Sequence, residues 1–326
     1  MKRRQFIFES FLYSGSFFLP RYSPLWSQQS KSEKSKVIRV GRSATLQKVK
    51  AINAEQLTEL LDDGMRTLFN CDDPIAPWKR LFKKHETIGL KVNCLSGPGS
   101  TNVILVNAIS ERLQQAGIKK ENIIVWDRLS SDLEDGGFKI KDDRNQIRTI
   151  GNDISGFEDE LSIFGSAASR ISRIVTRECD AVINLPLLKD HSIAGLTMSL
   201  KNMFGAIHNP NKYHLNAGDP YIADINAFPE IREKVRLHIC DAIEAQYEGG
   251  PSFMPHWRWP MGSLLISQDP VALDYTGWKI IEQKRKEMEF ASLKDSGREP
   301  KYIATAADKK HGLGTNNPML IDYVEI

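Results

Sequence analysis

The chain has 326 residues, 41% of them apolar and 26% charged, enough for a sizeable core in one large domain or two smaller ones. Its net charge of +3 belongs to its start: residues 1–28 hold four of the 44 basic and one of the 41 acidic residues, which leaves 40 of each beyond them. A neutral body without a basic block argues against nucleic acid as a partner, and no apolar run reaches the roughly 18 residues of a membrane span.

Lys2-Arg3-Arg4-Gln5-Phe6-Ile7, followed by the apolar segment Phe11 to Pro20, reads as a twin-arginine-like signal over residues 1–28. Such signals are addresses read by the twin-arginine export machinery, so a periplasmic or otherwise exported protein is expected. Glu9 and the lack of an Ala-x-Ala site depart from the usual pattern. Cleavage falls near Trp26 to Ser30, or the segment stays as an anchor, with no transmembrane span beyond it. The other reading is a basic N-terminal tail of a cytoplasmic protein. Residues 29–36 are rich in Ser, Lys and Gln and read as a linker; residues 37–326 read as one domain.

Val37 to Val40 is a candidate strand. Ala54 to Phe69 has helical spacing through Leu57, Leu60, Leu61, Met65 and Leu68. Thr87 to Leu95 is a strand-like run broken by Ser96-Gly97-Pro98-Gly99-Ser100. A helix is expected over Asn102 to Ala116, closed by Gly117, and a strand over Asn122 to Trp126, ending at Asp127. Strand, helix and strand make a right-handed βαβ unit with parallel, neighbouring strands. Asp127 to Phe157 reads as a long loop or small insertion, and Ser169 to Arg177 as helical. Ala181 to Pro186 is a buried-type strand. Phe228 to Tyr247 reads as a long amphipathic helix, Gly262 to Ser267 as a strand, and Asp269-Pro270 as a helix start. The fold class is α/β: a mostly parallel, helix-covered sheet, with room for a small inserted subdomain.

Lys189, Asp190 and His191 follow the Ala181–Pro186 strand, and ligands of open α/β sheets bind outside the carboxyl ends of strands. A helix expected over residues 196–208 carries Leu196, Leu200, Met203 and Ile207 on one stripe, with Thr197, Lys201 and His208 about 100° around from it. A lysine at the margin of a core stripe can hold an anion or lose its charge and act as a base. It can equally snorkel, with its ammonium in water. Lys189, His191 and Asn202 nearby favour the site. Lys91 and Asn93 share a face at another strand exit. Asp190 is the nearest carboxylate in sequence and could sit between Lys189 and Lys201 in the empty protein. His191, His208 and His214 could hold a divalent metal, although each alone reads as a hydrogen-bonded loop residue. Asp241, Glu244 and Glu248 read as the solvated face of the 228–247 helix. Cys71, Cys94, Cys179 and Cys240 form no Cys-x-x-Cys pair. No iron–sulfur cluster is expected, and small buried residues compete with disulfides as their reading.

Three blocks together resemble the DUF362 family, named for its unknown function. They are IGLKVNCLSGPGSTNVILVNAISERLQQAG with NIIVWD, CDAVINLPLLKDHSIAGLTMSLKNMFGAIHNPNKYH, and ICDAIEAQYEGGPS with GSLLISQDPVALDYTGW. The resemblance implies that Lys91, Asn93, Lys189, His191, Lys201 and Asn202 occupy the family's characteristic positions, with Asp190 departing from a small hydroxylated residue. Relatives with ferredoxin-like cysteine clusters exist, and this chain carries none.

The expected function is that of an enzyme acting on a small anionic substrate or cofactor. Its catalytic residues are His191, Lys201 and Lys189; Lys91, Asn93, Thr197 and Asn202 bind the substrate. The cofactor is left open, with a divalent metal as one choice. The second expectation is a non-catalytic ligand-binding or maturation protein for an exported redox partner.

Overall fold

The computed structural model of the protein describes residues 34–41 and 53–326. The twin-arginine-like segment lies outside them. The linker does so up to residue 33, and its last two residues already open the first strand.

In chain order the strands are β1 (Ser35–Gly41), β2 (Ile88–Lys91), β3 (Ile123–Asp127), β4 (Arg148–Gly151), β5 (Ser162–Phe164), β6 (Ala167–Ser169), β7 (Ala181–Asn184), β8 (Leu187–His191), β9 (Gly195–Thr197), β10 (Val235–Gln246), β11 (Arg258–Ser267) and β12 (Ile321–Glu325). The large sheet has ten of them, in the order β12-β1-β11-β10-β7-β2-β3-β4, with β8 on β10 and β9 on β8. The pairs β3–β4, β2–β3, β2–β7, β7–β10, β8–β10 and β1–β12 are parallel. Antiparallel pairs are β1–β11, β10–β11 and the β8–β9 hairpin. The class is therefore α/β with a mostly parallel sheet, as expected. β5 and β6 form a separate hairpin.

Two cores cover the two faces, and the strands supply both by alternation. Ile123 and Val125 of β3 enter one core with Leu57, Leu60, Leu105 and Ile109 from the helices Ala54–Phe69 and Val103–Gln115. Ile124 and Trp126 enter the other, with Val271, Leu273 and Ile281 from the helix Pro270–Glu287. The βαβ unit is present: β2 and β3 are parallel neighbours, Asn102 caps the helix between them through Ile104 N–H at 2.8 Å, and Gly117 follows that helix at φ 98°.

Four expected elements differ, one of them at residues 169–177, where Ser169 ends β6 and the helical turn is only Ile174–Glu178. Residues 228–247 are not a helix; most of them are β10. The strand lies inside the sheet, with Leu237 and Ile239 in one core and Cys240, Ala242 and Ala245 in the other. Residues buried on both faces show no clean alternation, so their apolar spacing matches a helix as well as a strand. With the helix goes its charge row: Asp241 is buried and takes Asn102 N–H at 2.9 Å, Glu244 pairs with Arg258, and Glu248 pairs with Arg285 and Arg298. Residues 196–208 are also not one helix. They are β9, the short helix Ser199–Asn202 and a 3-10 turn Met203–Ala206, although Leu196, Leu200, Met203 and Ile207 are all fully buried. Finally, the 127–157 stretch adds an edge strand, β4. All four cysteines are free, and Cys94, Cys179 and Cys240 are buried.

Candidate functional site

Lys189 and His191 are not in a loop beyond a strand; they are in β8 itself. Alternation puts them on one face and Asp190 on the other. Asp190 therefore does not sit between the lysines. Its carboxylate pairs with Arg298 at 2.7 Å and accepts Gly250 N–H at 2.8 Å. The β8–β9 hairpin closes through Gly195 at φ 79°, where a Cβ would lie 2.3 Å from the Arg298 carbonyl. That turn aims two backbone N–H groups, of Ile193 and Ala194, at Nδ1 of His191, each at 3.1 Å. Nδ1 is thus an acceptor, and the ring hydrogen sits on Nε2. Burial, then the charge of Lys201, push the His191 pKa down to about 2. His191 is therefore a fixed neutral donor rather than a titrating acid–base group. Among the described residues its Nε2 has no hydrogen-bond partner, and it is not sealed from solvent.

Two lysines face this histidine's surroundings. Lys189 Nζ donates to Ser96 Oγ at 2.8 Å and to the Pro251 carbonyl at 3.0 Å. Burial and the nearby Arg258 guanidinium bring its pKa down to about 8. Lys201 Nζ lies 3.1 Å from His214 Nε2 and 4.7 Å over the Phe204 ring. Burial and the Lys189 ammonium bring its pKa to about 7. Among the described residues neither amine has a carboxylate partner. His214 Nδ1 faces the Asn211 carbonyl at 3.3 Å, so Nδ1 carries the hydrogen and Nε2 accepts from Lys201. The His191 and His214 rings stack at 5.6 Å.

The helix that carries Lys201 and Asn202 is four residues long and is started from elsewhere. The Asp274 carboxylate accepts Ser199 N–H at 2.7 Å and Leu200 N–H at 3.1 Å. Asp274 lies in the helix Pro270–Glu287, whose own start is capped by Asp269 through Val271 and Ala272 N–H. Burial lifts the Asp274 pKa to about 7.

Lys91, Asn93 and Asn202 meet one another. Lys91 Nζ is 2.6 Å from Asp127 Oδ1, and both side chains are buried. Its charge is matched inside the protein rather than offered to a ligand. Gly205 packs against this pair, where a Cβ would be 2.5 Å from Lys91 Cε. Asn184 Nδ2 donates to the Ser199 carbonyl at 2.8 Å, which fixes its orientation. Asn202 Nδ2 then donates to Asn184 Oδ1 at 2.7 Å, and Asn93 Nδ2 to Asn202 Oδ1 at 2.9 Å. Asn93 Oδ1 is left buried and unpaired. Thr197 lies opposite Lys189 in the hairpin, its hydroxyl 3.3 Å from the Asp190 carbonyl.

His208 does not join the other two histidines. The chain leaves helix geometry at Met203, and His208 is exposed, edge-on to Phe157 at 5.2 Å. Among the described residues no three His, Cys, Asp or Glu side chains could hold a metal together. Sequence reading missed Arg258, Ser96 and Asp127 as neighbours of the lysines; the Pro-Gly loop after β2 was the signal for Ser96. A surface groove of about 470 Å³ lies elsewhere, between the helix Pro270–Glu287 and β12, lined by Trp259, Tyr275 and Tyr323 among others. It lacks a buried polar cluster, so chemistry rather than volume selects the lysine site.

The family model described as Domain of unknown function (DUF362) matches residues 88–279, which hold every site residue named above except Arg298. The chain belongs to the DUF362 family. This DUF362 chain is 34% identical over 234 residues to the thylakoid-associated protein sll1697 of Synechocystis sp., covering 67% of this chain and 69% of the relative. It also aligns with the crystal structure of a Thermotoga maritima protein at 12% identity and a TM-score of 0.41, covering 72% of this chain and 59% of that one. Among the described residues of this DUF362 protein no helix is long and apolar enough to cross a membrane.

Proposed function

We propose that this protein is an enzyme acting on a small anionic substrate or cofactor held at Lys189, Lys201 and His191. One observation carries the reading: two buried lysine amines in one cluster have no carboxylate partner among the described residues. Buried charge is normally paired, and an anionic ligand supplies the missing partner. Lys189 gives the positive charge and His191 Nε2–H a neutral donor. Lys201, with its pKa near 7, gives an amine that changes protonation at working pH. A pure binding protein has no need of that last property, which is why catalysis is preferred to the maturation role.

Calorimetric titration with inorganic phosphate and with pyruvate tests the reading. Lys189→Ala should weaken the bound anion about ten- to a hundredfold, the worth of one buried charge-assisted hydrogen bond. Lys294→Ala, at an exposed position, should leave affinity unchanged. Equal effects of the two substitutions would remove Lys189 from the site.

The setting proposed is an exported or membrane-associated one. The paired Arg3-Arg4 and the thylakoid-associated relative support it. Replacing both arginines with lysine should leave the full chain in the cytoplasm on cell fractionation. An unchanged distribution of that double variant would end the twin-arginine reading.

A further inference from the structure

We infer that Lys201 is a nucleophile that forms an imine with an anionic carbonyl compound, such as a 2-oxo acid or a phosphorylated aldehyde, whose anion is held by Lys189. This rests on the reading of the cluster as an anion site and adds the reaction. Imine chemistry needs an amine that is uncharged at working pH, a group to carry its protons, and a donor for the carbonyl oxygen. Lys201 meets the first requirement by position. Its Nζ lies over the Phe204 ring, has no carboxylate partner among the described residues, and shares the cluster with the Lys189 ammonium. A lysine beside a second cation in an apolar setting is an activated amine. With a pKa near 7, it carries about a thousandfold more free amine at pH 7 than a lysine of ordinary pKa.

The other two requirements are met by the histidines. His214 Nε2 is an acceptor 3.1 Å from Nζ, because its Nδ1 hydrogen faces the Asn211 carbonyl. His191 presents Nε2–H, because its Nδ1 accepts two backbone N–H groups. In the step, the Nζ lone pair forms a C–N bond as the carbonyl π pair moves to oxygen. The two N–H hydrogens then leave with that oxygen as one water, carried by way of His214 Nε2, and a C=N bond remains. No electron enters or leaves. Lys189 is less suited to attack, since its Nζ donates to Ser96 and Pro251.

The test is reductive trapping of the full chain at pH 7. Glyoxylate, pyruvate and glyceraldehyde 3-phosphate are each added with cyanoborohydride, and the adduct is mapped by peptide mass spectrometry. With at least one of them, Lys201 should be modified more than about tenfold faster than Lys294, and lactate, an anion without a ketone or aldehyde carbonyl, should protect it. Lys201→Arg should abolish that adduct in protein that still unfolds in one cooperative transition, while Lys294→Arg, at an exposed position, should leave it in place. Absence of a Lys201 adduct with all three compounds, in protein that binds phosphate by calorimetry, would overturn the imine and leave the anion site standing. Modification by neutral acetone as fast as by pyruvate, without lactate protection, would overturn the anionic class of substrate.

Discussion

Asp127→Ala is expected to lower the unfolding free energy by about 3–5 kcal/mol, the cost of leaving a buried charge without its partner. The Lys91 and Asp127 side chains are 1% and 8% exposed, and their charged atoms are 2.6 Å apart. Asp127 also accepts Cys94 N–H at 2.7 Å, so its loss leaves a buried backbone donor unmet as well. Lys91 has other acceptors, the Val92 carbonyl at 2.6 Å and Asn202 Oδ1 at 3.5 Å, but neither carries charge. Replacing both members with apolar residues, as Lys91→Met with Asp127→Leu, should cost clearly less than Asp127→Ala alone, because no unpaired charge remains. Urea unfolding at constant m-value measures both variants against the parent protein. A loss below about 1 kcal/mol for Asp127→Ala would mean that Lys91 finds water or another anion, and the pair would then be no pillar of the β2–β3 edge.

Anion affinity is expected to fall about tenfold per pH unit above pH 8. The sign follows from Lys189. Its pKa in the ligand-free protein is about 8 because burial disfavours the ammonium. A bound anion favours the ammonium, so the pKa rises on binding and a proton is taken up whenever the free protein has lost it. Below pH 8 Lys189 is already charged and affinity is flat with respect to this group. Above pH 8 each binding event must supply the proton. If Lys201 also had to be charged, the decline would start a unit lower, near pH 7. Phosphate changes its own charge in this range, so the titration is best made with pyruvate. Calorimetry in two buffers of different ionisation enthalpy reads the proton directly. Uniform affinity from pH 7 to 9.5 would show that Lys189 does not hold the anion.

The sheet was legible wherever an element announced its ends. Asn102 before and Gly117 after the Val103–Gln115 helix mark its limits, and Asp269-Pro270 does the same for the Pro270–Glu287 helix. It was illegible where burial was complete. β10 lies between β7 and β11, so Leu237 and Cys240 are both hidden and the polar half of the pattern is missing. The stripe Leu196, Leu200, Met203 and Ile207 misled for the same reason: all four are core residues, but of three different local conformations. The candidate site was more legible than the elements that carry it. Lys91 and Asn93 meet Asn202, and Lys201 precedes Asn202 in the chain, an arrangement that needs only the exit of β2 and one helical turn. The direction of Asp190 and the partners Arg258, Arg298 and Asp127 depend on strand alternation and on residues distant in sequence. No local pattern gives them.

The asparagine chain from Ser199 to Asn93 has only one possible sense. A carbonyl at one end forces each amide in turn to give hydrogen on one side and receive it on the other, so the last, Asn93, holds a buried oxygen that no donor meets. The Ser199 carbonyl belongs to the same four-residue helix as Lys201. That helix therefore sets the polarity of a group on β2's exit loop as well as the place of its own amine. A group that comes to rest against Asn93 Oδ1 must bring a hydrogen with it: a hydroxyl, an amine or a water fits that oxygen, and a bare carboxylate oxygen does not.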